Sequence, residues 1–151
     1  LLRPYYSNIG KRLKKSPKIY FSDTSLATYL MGIHDPEILL NSPNWGNLFE
    51  TAVVIDWIKR YTNHGLSPNL YYLRTEDGLE IDLVVEENQK LNLFEIKASS
   101  TLTPKHAIGL KIMKKHLGKK AGKLGIISII KDYEPVAENI HGLPWLDYLS
   151  Q

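Results

Sequence analysis

The strongest indication of chemistry in this sequence is a set of four charged residues: Glu50, Asp82, Glu95 and Lys97. Asp82, Glu95 and Lys97 lie in two adjacent apolar segments joined by a short polar stretch, so a β-hairpin would bring them together on one sheet face. Carboxylates that lie close together repel each other unless a metal ion or a proton separates them. The set therefore predicts a metal site or a shared proton.

The register of this hairpin decides which side chains meet. If the turn consists of residues 88–89, Asp82 lies opposite Glu95, and alternation places both on one face of the sheet. The opposite face then carries an apolar stripe made up of Ile81, Leu83, Val85, Phe94 and Ile96. An opposed Asp–Glu pair is destabilising, and Mg²⁺ removes that cost because it binds carboxylate oxygens and retains several waters. In the same register Glu80 lies opposite Lys97, so a plain cross-strand ion pair is the alternative.

Glu50 lies in a helical pattern that extends over residues 45–61. Four apolar residues fall within about 60° of it around the helix, namely Val53, Val54, Trp57 and Tyr61. A glutamate in the middle of an apolar stripe is rarely without a partner. Packing this stripe on the sheet would aim Glu50 at Asp82 and Glu95 as a third carboxylate. Lys97 beside them would hold a water molecule, help to deprotonate it, or neutralise charge in a transition state.

The elements that must position these residues follow from periodicity and from helix and turn signals. We predict helices over 24–30, 45–61 and 104–117, a loop over 33–44, and strands over 18–21, 70–74, 79–86, 91–98, 124–130 and 136–140. From the long helix onward the order is helix, three strands, helix, strand, which predicts an α/β fold with a mixed central sheet flanked by helices. Residues 1–32 are expected to be an N-terminal extension with a short strand and helix, and 33–151 the main domain, together forming one compact unit.

Charge is distributed unevenly along the chain, although the net charge is only +3. Residues 1–22 contain six Lys or Arg and no acid, and residues 96–131 contain nine lysines and no acid. Basic stretches on both sides of an acidic centre are what an enzyme that acts on a polyanion needs, and six of the lysines between 111 and 123 are candidates to follow a nucleic-acid backbone. The alternative is that these lysines solvate exposed faces of helices.

Composition excludes several classes of protein. The chain has no cysteine, which excludes disulfide frameworks and thiolate metal sites. It has no apolar run of the ~18 residues that a membrane helix needs and no signal peptide, so a cytoplasmic location without membrane contact is expected. The sequence does not begin with Met, and we expect it to be part of a longer protein.

The order helix Glu, strand Asp, then Glu-x-Lys resembles the pattern of the PD-(D/E)xK nuclease superfamily, whose fold is that of restriction endonucleases and archaeal Holliday junction resolvases. The proline of that pattern is absent here, where the sequence reads Glu80-Ile81-Asp82. Further stretches resemble the C-terminal, nuclease-like domain of prokaryotic AAA+ family ATPases, a domain catalogued as one of unknown function. These stretches are residues 4–5, 8–12, 15–20, 23–27, 46–50, 72–75, 78–82 and 95–97.

The resemblance implies a restriction-endonuclease-like core in residues 33–151 and a nuclease that hydrolyses phosphodiester bonds in DNA with Mg²⁺ or Mn²⁺. It implies that Glu50, Asp82 and Glu95 bind the metal and that Lys97 completes the catalytic set. It also implies that a P-loop ATPase module and a winged-helix segment precede this domain in a longer chain. The present sequence has no G-x-x-x-x-G-K-[ST] motif, so ATP hydrolysis is not expected of it. The alternative is a catalytically inactive nuclease-fold module that binds DNA or protein.

Arg74 is a further candidate, because it lies at the end of a predicted strand just before the hairpin. Its guanidinium would suit a phosphate contact. An ion pair with Glu76 or Asp77 is an equally good interpretation of the sequence.

Overall fold

Seven strands form one mixed sheet in the part of the chain that the computed structural model describes, residues 1–5 and 16–148. In chain order they are β1 (Arg3–Pro4), β2 (Leu70–Arg74), β3 (Glu80–Glu87), β4 (Lys90–Lys97), β5 (Ala121–Ser128), β6 (Glu134–Ala137) and β7 (Ile140–Pro144). Their order across the sheet is β1-β2-β3-β4-β5-β7-β6. The β1–β2, β4–β5 and β5–β7 pairs are parallel, and the β2–β3, β3–β4 and β6–β7 pairs are antiparallel. The predicted α/β class with a mixed sheet is confirmed.

Helices cover both faces of this sheet. They are α1 (Thr24–Leu30), α2 (Pro36–Leu40), α3 (Trp45–Asn63), α4 (Ile108–Leu117) and α5 (Trp145–Tyr148), and short 3-10 turns, Pro104–Ala107 and Gly118–Lys120, flank α4. One core lies under α3, where Trp57 packs on Phe94 at 5.9 Å between ring centroids. The other lies under α4, where Leu110 and Met113 are fully buried. None of the described helices is long and apolar enough to cross a membrane.

The β3–β4 hairpin has the predicted register. Its turn consists of Asn88 and Gln89, whose φ angles of 50° and 63° match the two-residue turns that connect twisted strands. Leu83 pairs with Phe94 and Val84 with Leu93, as a turn at this place requires. The hairpin that should carry the site is therefore confirmed.

The face on which α3 packs differs from the prediction. Leu83 and Phe94 contact α3, whereas Val84 and Leu93 lie in the core under α4. The apolar stripe that includes Glu50 thus packs on the sheet face away from Val84. The expected alternation also fails at Ile81, which belongs to the core under α4 instead of the stripe with Leu83. The reason is a β-bulge: between the Tyr71–Val84 and Leu73–Ile81 pairs, β3 has one residue more than β2, which turns Ile81 to the other face.

The N-terminal part of the chain also corrects the sequence interpretation. The strand expected over residues 18–21 is wrong, because only Lys18 forms a β-bridge, to Leu2, and Ile19 remains 82% exposed. The strand that does extend the sheet is β1, beside β2. The stretch 8–12 of the resemblance, and the lysines and arginine between 11 and 15, lie outside the described residues.

Two further segments differ from the prediction. The loop expected over 33–44 contains α2, because Asp35 accepts a hydrogen bond from the Glu37 N–H at 2.7 Å and Pro36 occupies the first turn. The last predicted strand, 136–140, is the turn region of a hairpin instead. β6 and β7 meet around Asn139, which has a φ of 57°.

Candidate functional site

Asp82, Glu95 and Lys97, which we call the hairpin cluster, meet where the β3–β4 ladder ends. Asp82 Oδ2 accepts a hydrogen bond from the backbone N–H of Ile96 at 2.8 Å. A side-chain carboxylate thus takes the place of a strand carbonyl just beyond Leu83–Phe94, where the regular β3–β4 pairing ends. Polar side chains are thereby brought together at the end of an otherwise apolar hairpin.

The two carboxylates of the hairpin cluster are buried, since Asp82 and Glu95 are only 8% and 7% exposed. Burial, followed by the neighbouring Asp82 carboxylate, raises the pKa of Glu95 to about 8. The pair is therefore strained as two anions, as the sequence predicted. A cation or a proton is needed to stabilise it.

Lys97 supplies one such cation. Its Nζ lies 3.1 Å from Glu95 Oε2 and 3.6 Å from Asp82 Oδ2. Partial burial opposes the charged form of Lys97, but Asp82 and Glu95 outweigh it and raise the pKa of the ammonium. Lys97 is therefore a fixed positive charge at neutral pH and is not poised to act as a base.

Lys18, Tyr20, Glu50 and Glu80 form a second group, which we call the N-terminal cluster. The Glu50 Oε1 atom accepts from Lys18 Nζ at 2.9 Å and from the Tyr20 hydroxyl at 2.5 Å. Lys18 Nζ also lies 2.5 Å from Glu80 Oε1, so it bridges the two glutamates. Burial and the carboxylates of Glu50, Asp82 and Glu80 raise the pKa of the Tyr20 phenol. Tyr20 thus remains a hydrogen-bond donor, and it is the member of the N-terminal cluster whose pKa also responds to Asp82 of the hairpin cluster.

The segment that carries Lys18 and Tyr20 is fastened to the sheet edge. Lys18 and Leu2 exchange backbone hydrogen bonds of 2.9 and 3.0 Å. The Tyr72 hydroxyl donates to the carbonyl of Ser16, and Lys18 Nζ lies 5.3 Å from the centroid of the Tyr72 ring. These contacts aim residues 18 and 20 at the carboxylates although the segment is not a strand.

The structure brings three of the predicted site residues together and places Glu50 with different partners. Asp82, Glu95 and Lys97 form the hairpin cluster, whereas Glu50 is bound by Lys18 and Tyr20. Across residues 1–5 and 16–148, no group of three or more His, Cys, Asp or Glu side chains is arranged to hold a metal ion. The expected convergence of three carboxylates is thus absent from the described residues.

Arg74 and Glu80 also have partners that the sequence did not predict. Arg74 Nε lies 3.4 Å from Glu80 Oε2, so the guanidinium pairs with Glu80. The cross-strand alternative paired Glu80 with Lys97, but Glu80 contacts Lys18 and Arg74, and Lys97 contacts the hairpin carboxylates.

Sequence reasoning missed Lys18 and Tyr20 as site residues. One signal was available: Glu50 in an apolar stripe required a polar partner. Lysine and tyrosine two positions apart on an extended segment project to the same side and are suitable partners. The sequence offered no means of choosing this segment over other basic ones.

A basic surface begins next to the hairpin cluster. A Cβ atom at Gly109, in the first turn of α4, would lie 3.0 Å from Glu95 Oε1, so the helix passes directly beside this carboxylate. Further along α4 and the turn after it, exposed lysines follow one another: Lys111, Lys114, Lys115, Lys119 and Lys120. The helix that passes beside Glu95 thus carries positive charge on its exposed surface.

The donor atoms of the hairpin cluster suit a hard divalent cation. Asp82 and Glu95 provide carboxylate oxygens on neighbouring strands, and burial, followed by repulsion from Asp82, raises the pKa of Glu95. Mg²⁺ is commonly bound through one or two carboxylates and keeps several waters. The pair therefore fits Mg²⁺ or Mn²⁺ in charge and donor type, with two protein carboxylates instead of three.

Comparison with known proteins assigns the chain to a family without a known activity. A family model described as a domain of unknown function (DUF4143) matches residues 45–148, and another, also a domain of unknown function (DUF8612), matches residues 1–37. Uncharacterized proteins of Mycobacterium bovis and Mycobacterium tuberculosis are each 43% identical to it over 101 residues. The match covers 66% of this chain but only 22% of each relative, so the chain spans a small part of their length. Because the first model covers more than half of the chain, the protein belongs to the DUF4143 family.

Proposed function

We propose that this domain is a Mg²⁺-dependent nuclease of the PD-(D/E)xK kind that hydrolyses phosphodiester bonds in DNA. The observation that carries the proposal is the buried Asp82–Glu95 pair, bridged by Lys97 just beyond the last regular β3–β4 pair. A structural ion pair does not need two buried carboxylates, because burial of the second one costs free energy. Groups with strongly shifted pKa values concentrate at functional sites.

The proposed roles follow from the contacts. Asp82 and Glu95 would hold the metal, and a bound divalent ion would activate water and neutralise phosphate charge. Lys97 would donate hydrogen bonds to the phosphate oxygens on which negative charge develops. Its raised pKa keeps the ammonium protonated, so we assign it a role in charge stabilisation and none as a base.

Arg74 and the exposed lysines beside α4 support a polyanionic substrate. Arg74 has a side chain that is 42% exposed and is tied to Glu80, next to Lys18. Gly109, in the first turn of α4, lies directly beside Glu95, and the first lysine of that helix, Lys111, follows two residues later. A nucleic-acid backbone that enters the hairpin cluster would therefore continue along a positively charged helix. Such contacts give binding that weakens steeply with salt.

Cleavage assays on the purified 151-residue chain test the proposal. Asp82→Asn keeps an acceptor for the Ile96 N–H and removes a carboxylate, and Lys97→Met removes the cation with little change in length. Both should abolish Mn²⁺- or Mg²⁺-dependent cleavage, whereas Glu76→Gln, on an exposed turn, should cleave like the unchanged chain. Equal cleavage by all these proteins would identify a contaminating nuclease and reject the proposal.

Salt-dependent binding tests the DNA partner separately from cleavage. We expect Lys111→Gln combined with Lys115→Gln to weaken DNA binding in the presence of EDTA and to lower the slope of log K against log salt by up to about 2. The matched control is Lys59→Gln combined with Lys131→Gln, which removes the same charge from exposed positions outside α4. An equal loss in both double variants would show that net charge alone is responsible.

A second candidate function is a non-catalytic module that binds DNA or protein. It is favoured by a specific observation: Lys97 Nζ contacts both carboxylates, and the raised pKa of Glu95 favours its neutral form, so the pair does not require a metal. In that case calorimetric titration with Mn²⁺ gives no heat of binding, while DNA is still retarded in gels. Binding of about one Mn²⁺ that is lost in Asp82→Asn would exclude this second function.

We further propose, from the resemblance, that the domain is the C-terminal part of a cytoplasmic prokaryotic AAA+ ATPase with a winged-helix segment. The greater length of the mycobacterial relatives is compatible with additional domains. ATP hydrolysis by the purified full-length protein, stimulated by DNA, is the expected result. Absence of ATPase activity would contradict this association. It would not decide the nuclease proposal, which the cleavage assays test separately.

A further inference from the structure

Glu50 is the predicted metal ligand that does not join the others, and its contacts suggest why. Its Oε1 atom accepts from both Lys18 Nζ and the Tyr20 hydroxyl, at 2.9 and 2.5 Å. Both donors belong to one short segment. Lys18 and Tyr20 therefore hold the Glu50 carboxylate, and the hairpin cluster contains only the carboxylates of Asp82 and Glu95.

Lys18 has the properties of a tethered cation. It is held in place by the backbone bridge to Leu2 and by the Tyr72 ring, and its ammonium bridges Glu50 and Glu80. Its side chain is only 24% exposed, so the charge is partly withdrawn from solvent. A partly buried ammonium between two carboxylates satisfies the same need for positive charge that a divalent cation would satisfy.

We infer that Lys18 and Tyr20 are positioning residues of the site, and that Lys18 acts as an internal cation which a divalent metal must displace from Glu50. The inference rests on the proposed function, since it presupposes metal binding by Asp82 and Glu95. Release of Lys18 frees Glu50 to turn towards the hairpin cluster and weakens the attachment of residues 16–20. The segment with Lys18 and Tyr20 matches one family model and the carboxylates match the other, so the site joins both matched regions.

Calorimetric titration of the metal-free 151-residue chain with Mn²⁺ tests this competition. Lys18→Met should bind Mn²⁺ about fivefold more tightly than the unchanged chain, because removal of a competing, partly exposed ion pair releases up to about 1 kcal/mol. Lys18→Arg should behave like the unchanged chain. Arg74→Met is the matched control, since it removes a cation that contacts Glu80 but has no contact with Glu50 in the described structure.

The outcomes separate this inference from the proposed function. Mn²⁺ binding that is equally tight in Lys18→Met and Arg74→Met would show a general charge effect and overturn the competition. Weaker binding in Lys18→Met would also overturn it. No binding by any of the proteins would overturn the proposed function and this inference together.

Hydrogen exchange on the unchanged chain provides a measurement that does not depend on the folding of a variant. The Lys18 amide is bonded to the Leu2 carbonyl, so its exchange reports the attachment of the segment. Saturating Mn²⁺ should accelerate exchange in a peptide that covers residues 16–22 and leave a β5 peptide unchanged. Slower exchange in residues 16–22 on Mn²⁺ binding would mean that the metal fixes the segment, contrary to displacement.

Discussion

The hairpin cluster and the N-terminal cluster are each a pair of carboxylates bridged by a lysine, yet they are built differently. In the hairpin cluster the lysine is two positions from Glu95, and both carboxylates are buried. In the N-terminal cluster Lys18 is 32 positions from Glu50, and the side chains of Glu50 and Glu80 are 22% and 28% exposed. The first arrangement places charge where its burial costs most. The second links a distant segment to the same end of the sheet.

This difference separates two physical roles. Two buried carboxylates, one of them Glu95 with its pKa raised by burial, require a cation or a proton, so the hairpin cluster is where we expect a metal to gain binding free energy. Ion pairs that remain in part accessible to solvent contribute less stability than buried ones, so we expect the N-terminal cluster to open at a smaller cost than the hairpin cluster. The buried hairpin cluster thus lies near the segment with Lys18 and Tyr20, which is held less strongly. This combination is what the proposed metal-dependent release of Lys18 from Glu50 requires.

Removal of the Lys97 charge should give the largest effect. We expect Lys97→Met to lower the rate of metal-dependent DNA cleavage by about 100-fold or more, because one group that stabilises transition-state charge is typically worth this much. Lys18→Met should lower it far less. Single-turnover rates at saturating Mn²⁺ provide the measurement, and a larger loss in Lys18→Met than in Lys97→Met would reverse the assignment of roles.

The Asp82 carboxylate should matter for stability more than any residue of the N-terminal cluster. Asp82→Ala leaves the buried Ile96 N–H without its acceptor, and we expect a loss of about 1–3 kcal/mol in the free energy of unfolding. Asp82→Asn, which keeps an acceptor, should lose clearly less. Urea denaturation with EDTA present measures both, and an equal loss in the two variants would argue against the importance of this hydrogen bond.

The pH dependence of stability should distinguish the clusters as well. The folded-state pKa of Glu95, about 8, lies above its ordinary value of 4.5, so the folded protein retains this proton more strongly than the unfolded chain. The stabilisation is complete below pH 4.5 and is lost as the pH rises to about 8. In EDTA, the free energy of unfolding of the unchanged chain, taken relative to that of Glu95→Gln, should therefore decrease as the pH rises from 4.5 to about 8.

Metal should reverse the sign of this pH dependence. Binding requires the deprotonated carboxylate, so with saturating Mn²⁺ the stability of the unchanged chain should rise with pH over the same window. Glu50→Gln should show the same slopes as the unchanged chain in EDTA. A slope in EDTA that persists in Glu95→Gln would show that Glu95 is not the group responsible.

The smallest expected effect is on the stability contributed by the N-terminal cluster. Glu50→Gln should change the free energy of unfolding by about 0.2–1 kcal/mol, because it breaks a partly exposed ion pair and keeps an acceptor for Tyr20. The measurement is urea denaturation without metal. A loss greater than that of Asp82→Ala would contradict the distinction between a buried, strained cluster and an easily opened one.

Local patterns were sufficient for the hairpin and its surroundings. The two-residue turn and strict alternation fixed the register of β3 and β4, and capping residues predicted α1 after Asp23. The irregularity at Asp82 was not predictable, because it combines one extra residue in β3 opposite β2 with a side chain that replaces a backbone acceptor. Neither feature can be read from hydrophobic periodicity.

Residues 16–20 show where pattern reasoning fails. Lys18-Ile19-Tyr20-Phe21 has the composition of a strand, but the sheet edge is occupied by β1, so only one β-bridge forms. Ile19 consequently remains exposed, against its expected place in a strand. The edge position depends on competition between two segments for the same partner, and each of them alone is compatible with pairing.

By itself the sequence determined the hairpin register, the proximity of Asp82, Glu95 and Lys97, and the mixed α/β character of the sheet. These properties depend on residues that are close along the chain and on the period of two in strands. Only the tertiary structure decided which sheet face α3 covers and that Glu50 meets Lys18 and Tyr20. Such contacts join segments 30 or more positions apart, and they are fixed by how whole elements pack, which no local pattern encodes.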